Sequence, residues 1–174
     1  MTTTEESQAV KLSLRLDAPI HAALQKEGQA KGREIGEHIQ RILTEYAIDQ
    51  KLLDDATGME YKMMWSLIHR AVETARRICR DGGFAADITL KTFQKCMEDK
   101  LWAADYESFV KDNPYKHGNP RKSPINKEIG FRIREGIGGK VIKLSNDKPA
   151  KTPVVGEIIQ SYTPMGSFKS DVVG

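Results

Sequence analysis

The sequence predicts a mainly α-helical chain that opens with a strand-helix-helix module and closes with a small β element. Three observations carry this. Lys11-Leu12-Ser13-Leu14-Arg15-Leu16 alternates strictly between polar and apolar residues, the period of a half-buried strand. Apolar residues then recur at helical spacing in several separate blocks. Pro- and Gly-rich breaks punctuate those blocks.

Length and composition bound the reading. The chain has 174 residues, 39% apolar and 29% charged, the proportions of a globular protein with a real core. No apolar run approaches the ~20 residues that span a bilayer. The polar, acidic start Met1-Thr2-Thr3-Thr4-Glu5-Glu6 is unlike a signal peptide. Cys79 and Cys96 form no zinc or redox spacing. A cytoplasmic protein with reduced thiols and no membrane association is expected.

Each element follows from local chemistry. Residues 1–9 read as a flexible arm and 11–16 as a strand. Asp17 is an N-cap, with Pro19 in the first turn of a short helix that runs to about Ala30. Gly32 is placed to end it in the left-handed conformation. A second helix follows, with Ile35, Ile39, Ile42, Leu43 and Tyr46 on one face. Residues 54–58 look like a break, and a long helix is expected over 59–80. Its buried stripe would be Met64, Trp65, Ile68, Ala71, Val72, Ala75, Ile78 and Cys79. Helices over 89–99 and 102–111 precede a loop at 113–124 with three prolines. A further helix from Ser123-Pro124 carries Ile125, Ile129, Ile133 and Ile137, and Gly138-Gly139 stops it. Strands at 140–145 and 154–162 would flank a turn at 146–149. The organisation read from these elements is an arm at 1–9, a module at 10–53 and a helical region at 54–112. A basic loop, helix and β element at 113–162 and a tail at 163–174 complete it.

The charge is uneven. The net value is +3, yet residues 113–151 hold ten Lys/Arg against three Asp/Glu. A block of this kind suits a polyanionic partner, with a solvated linker as the plain alternative. Lys116, Arg121, Lys122 and Lys127 are its candidate phosphate contacts.

Strand, helix, glycine turn and second helix within residues 11–46 resemble the ribbon-helix-helix DNA-binding proteins of the Arc/MetJ type. The resemblance rests on Lys-Leu-Ser-Leu-Arg-Leu, Gly32 and the Ile35, Ile39, Leu43 register. It implies a homodimer, or a higher homo-oligomer, whose two strands form a ribbon in the major groove of double-stranded DNA. Lys11, Ser13 and Arg15 would then read base edges, and Leu12, Leu14, Leu16, Ile35, Ile39 and Leu43 would form the dimer core. Ile35 and Gly36, at the start of the second helix, would meet a phosphate. Arg33-Glu34 stands where the family usually has Ser or Thr, which shifts the phosphate clamp toward Lys31 or Arg33.

The physics supports pairing independently. A lone six-residue strand must find partners for its backbone groups. The function expected is a sequence-specific DNA-binding protein, a transcriptional repressor or a plasmid or phage DNA-maintenance factor. The alternative is an oligomeric DNA-packaging or assembly protein of scaffold or terminase type. The C-terminal region is long enough to bind a further protein partner. No catalytic constellation is present: His21, His38, His69 and His117 are scattered, and Gly136-Ile137-Gly138-Gly139 lacks phosphate-loop spacing. No enzyme activity, metal or cofactor is expected.

Overall fold

The computed structural model of the chain describes residues 10–31 and 33–173. The expected arm at 1–9 and the Gly32 terminator lie outside the described residues. The chain divides into two compact units, one through Tyr46 and one from Ala47 onward. The fold is mainly helical, with a small antiparallel element near the C-terminus.

The first unit holds α1 (Ala18–Ala30) and most of α2 (Ile35–Asp49). Residues 10–17 carry no regular secondary structure, so the strand expected over 11–16 is absent from the single chain. The reason is physical: a ladder needs a second strand, and residues 10–16 make no backbone hydrogen bond to another described residue. The α1–α2 turn closes where Arg33 N donates to the Gly28 carbonyl at 2.8 Å. Gly28 is buried there, and a Cβ on it would meet His38 Cβ at 3.2 Å.

The second unit is built on α3 (Asp55–Arg80). Residues 54–58 are a helix start rather than a break. Asp54 accepts from Thr57 N at 2.9 Å and from Thr57 Oγ1 at 2.7 Å, which caps the first turn. The buried stripe of α3 is Leu67, Ala71, Ala75 and Cys79. Leu67 was not in the expected stripe, and Met64, Ile68 and Ile78 flank it half-buried. Then come α4 (Ile88–Glu98), α5 (Lys100–Val110) and α6 (Lys122–Gly136). Asp99 caps α5 two residues earlier than expected by accepting from Leu101 N and Trp102 N.

The isoleucine series of α6, Ile125, Ile129, Ile133 and Ile137, is buried throughout. It shares one core with α3, α4 and α5, so segments 54–112 and 113–162 are not separate pieces. Trp102 anchors that core: it stacks on Tyr106 at 5.0 Å, meets Phe93 edge-on, and donates Nε1–H to the Leu67 carbonyl at 3.1 Å. Trp65 is half-buried, beside Tyr61.

The β element differs from the hairpin expected. β1 (Lys140–Val141) pairs with β4 (Met165–Ser167), while β2 (Thr152–Pro153) pairs with β3 (Ser161–Tyr162). The 146–149 turn does form, but it closes only a Lys143–Pro149 bridge, with Asp147 at φ +66°. Gly156, at φ +79°, interrupts the second expected strand. Residues 163–174, expected to be a tail, supply β4 and the short α7 (Ser170–Val173), whose Val173 is buried. Arginines on α3 hold the surrounding elements. Arg76 Nε donates to the Gly136 carbonyl at 2.8 Å, Arg80 Nη1 to the Val173 carbonyl at 2.8 Å, and Arg70 pairs with Asp105. These three side chains tie α5, α6 and α7 to α3.

α6 lies closely against α3 at Gly136. A Cβ there would stand 2.4 Å from Val72 Cγ1. Gly136→Ala should therefore lower the stability of the second unit by about 1–3 kcal/mol through overpacking. Gly136→Ala combined with Val72→Ala should be less destabilised than the sum of the two singles. Denaturant unfolding of the three variants checks this; additive losses would place the strain elsewhere.

Burial pushes the Cys96 thiol up to about 11 and raises that of Cys79 as well. At pH 8 only about one Cys96 in a thousand is then thiolate, so neither cysteine should react with a thiol reagent in the native state. Both should react once denaturant is added; labelling that is fast without denaturant would contradict the packing.

Candidate nucleic-acid interface

The expected contacts fall in two places, one in each unit. In the first unit Lys11, Ser13 and Arg15 are exposed. So are large apolar side chains: Leu12 is 72% accessible, Leu14 54%, Leu43 51% and Tyr46 58%. Leu16, Ile35 and Ile39 are half-buried. Short connections explain how little this unit covers by itself, since two helices and one unpaired segment cannot enclose a core.

Around the α1–α2 turn the charges are partly spent. Lys31 Nζ donates to Glu27 Oε1 at 2.6 Å, and His38 Nε2 lies 3.3 Å from Glu27 Oε2. The Lys31 hydrogen bond, and after it that of His38, lowers the Glu27 carboxyl below its ordinary value. Of the two clamp candidates, Lys31 is thus engaged on its own helix, while Arg33 sits half-buried beside the turn. Gly36, in the first turn of α2, is exposed, and nothing stands within 4 Å of where its Cβ would be.

In the second unit the basic block is organised rather than loose. Arg121 is anchored: Nη2 pairs with Glu60 at 3.0 Å, Nε donates to the Phe109 carbonyl at 2.9 Å, and the guanidinium lies over the Phe109 ring. Lys122 is only 8% exposed, and its Nζ donates to the Lys116 carbonyl at 2.9 Å. Desolvation lowers its ammonium below the ordinary lysine range. Both were expected to face phosphates. They are instead committed inside the protein, because the Pro-rich loop has few backbone partners and long basic side chains supply them. Lys116 forms an ion pair with Asp112 at 2.8 Å, and Lys127 is exposed.

Lys116, Lys122 and Lys127 nevertheless come together. They line one cavity of about 570 Å³ with Arg134 of α6 and Lys151, next to β2. Sequence reasoning missed Lys151 as a site residue, because it lies 24 positions after Lys127 and only the fold of residues 151–163 carries it there. Phe131, Tyr162 and Asn126 also line it. Asn126 is fixed from two sides: Tyr106 OH donates to its Oδ1 at 2.6 Å, and its Nδ2 donates to the Ile158 carbonyl at 3.0 Å. Among the described residues, no group of His, Cys, Asp or Glu is arranged to hold a metal ion, and no helix is long and apolar enough to cross a membrane. Compared with protein-family models, curated proteins and solved structures, the chain matches none.

Burial pushes the Tyr106 hydroxyl up to about 12. A phenol raised in the folded state stabilises fully below its unfolded value of about 10 and loses that contribution as the pH rises toward 12. Tyr106→Phe should cost about 0.5–1.5 kcal/mol at pH 7 through the lost hydrogen bond. The gap between variant and parent should narrow between pH 10 and 12; a gap that stays constant in alkaline melts would contradict the burial argument.

Proposed function

We propose that the chain is a dimeric, sequence-specific binder of double-stranded DNA of ribbon-helix-helix type, acting as a transcriptional repressor or a plasmid or phage DNA-maintenance factor. The observation that carries this is the uncovered apolar face of the first unit, beside a polar/apolar alternation whose backbone has no partner among the described residues. Leu12, Leu14, Leu43 and Tyr46 together expose more than a small unit can leave in water. A second copy supplies what is missing. Antiparallel pairing of two 11–16 segments satisfies both backbones and turns all six leucines to one side. Lys11, Ser13 and Arg15 of each copy then share the other side, where Arg and Lys can donate to guanine O6 and N7. A one-residue slip would put leucines against the groove and charges in the core, so the alternation selects the register.

The second unit adds its own core to this module. Its exposed cations, Lys127 above all, can add phosphate contacts without reading sequence.

Arg15→Ala should cost about 1–3 kcal/mol per half-site on the preferred duplex and far less on scrambled DNA. Leu14→Ala should instead weaken the dimer by ~2–4 kcal/mol per site. Selection of bound sequences from a random duplex pool, followed by titrations and sedimentation of both variants, tests the reading. A folded Arg15→Ala protein with its specificity ratio intact would remove the ribbon from base reading. Tight binding with no sequence preference would favour the packaging or assembly function.

A further inference from the structure

The cavity between α6 and residues 151–163 has a composition that the DNA-binding reading does not require. Five of its lining side chains are cationic: Lys116, Lys122, Lys127, Arg134 and Lys151. Among the described residues, none of those lining it is Asp or Glu. Two of the five cations meet a carboxylate outside the lining, Lys116 at Asp112 and Arg134 at Glu135, while Lys127 and Lys151 have no ion-pair partner among the described residues.

Lys122 makes the imbalance costly. Lys122 is only 8% exposed as a residue, and its ammonium, in a partly buried hydrogen bond, has a single backbone carbonyl as partner although it has three protons to donate. The carboxylate that acts on it, Asp112, is already bonded to Lys116. A partly buried cation so thinly compensated is stabilised by an arriving anion.

Size and lining narrow the class. About 570 Å³ lies within the range of small-molecule sites and is far larger than a phosphate ion needs. The rest of the wall mixes aromatic, aliphatic and neutral polar groups: Phe131 and Tyr162 supply aromatic rings, Ile158 and Met165 apolar surface, and Asn126 and Ser123 hydrogen-bonding groups. Arg134 already lies over the Phe131 ring, 4.8 Å from its centroid, so a π surface and a cation adjoin within the same wall.

We propose that this cavity binds a nucleoside phosphate, with the phosphates among Lys122, Lys127 and Lys151 and the base against Phe131 and Tyr162. Every lining residue belongs to the second unit, so the site stands whether or not the N-terminal module reads DNA. The same chemistry has two sources, a free nucleotide or one nucleotide of a single strand entering the cavity.

The test is calorimetric titration of the full chain with ATP, GTP, CTP, UTP, inorganic tripolyphosphate and a ten-nucleotide oligothymidylate. At least one of the nucleotide probes should bind with a Kd near or below about 100 μM, and tripolyphosphate at least about tenfold more weakly. The Lys127→Ala/Lys151→Ala double variant, altered only at exposed side chains, should keep its melting temperature and lose about tenfold or more in affinity. Phe131→Ala should weaken the nucleotide and leave tripolyphosphate unchanged. Saturation by a mononucleotide identifies the free ligand; binding of the oligonucleotide alone, equally sensitive to the double variant, identifies the strand. No binding tighter than about 1 mM by any probe, or binding indifferent to the double variant, overturns the site. Tripolyphosphate binding as tight as that of the nucleotides overturns the assignment of a base.

Discussion

The architecture of the second unit depends on how closely α6 can lie on α3. At Gly136 that approach leaves no room for a methyl group, since Val72 fills the space where a side chain would begin. Arg76 then bonds the Gly136 carbonyl from α3, so the same residue that permits the contact also fixes it. From this crossing the buried isoleucines of α6 run back along the core, and the remaining elements are placed against them. A second close contact follows at once: a Cβ on Gly139 would stand 2.6 Å from Met165 Sδ, which seats β4 on the end of α6.

That placement has a consequence for charge. One face of α6 is committed to the core, which leaves Lys127 and Arg134 to other faces of the helix. Folding of residues 151–163 against it adds Lys151. At the start of α6, Arg121 turns to the Phe109 carbonyl and Glu60, while Lys122 holds the Lys116 carbonyl and still lines the cavity. Basic residues adjacent in sequence therefore serve different purposes. Arg121 holds the loop alone, Lys122 holds it and lines the cavity, and Lys127 only lines the cavity. Coulomb repulsion among the lining cations is eased because Asp112 pairs with Lys116 and Glu135 with Arg134.

The first unit shows the opposite balance. Its helices are joined tightly through Gly28, Arg33 and His38, yet its apolar side chains stay largely in water. A unit with two helices has too little interior to bury Leu12, Leu14, Leu43 and Tyr46 at once. The hydrophobic effect acting on such a surface favours association, and the alternation at residues 11–16 supplies a register for it. The two units thus differ in kind: one is closed around its own core, and the other leaves large apolar side chains exposed.

Much of the local structure was legible in the residues. The isoleucine stripe at 125, 129, 133 and 137 and the stop at Gly138 follow from periodicity and turn chemistry, which are properties of neighbours in the chain. The start of α3 was misread because Asp54-Asp55-Ala56-Thr57-Gly58 has both loop-like composition and capping geometry, and only the Thr57 bonds to Asp54 decide between them. The pairing of Lys140 with Ser167 rather than with the 154–162 segment was not legible, since a two-residue strand carries no period of its own. Nor was the anchoring of Arg121 by Glu60, which lies 61 positions earlier. By itself, the sequence determined the helices, their apolar faces, the basic block and the polar/apolar alternation at the start. Only the tertiary structure decided which cations are free, because that depends on partners from distant segments, and distance along a chain says nothing about distance through space.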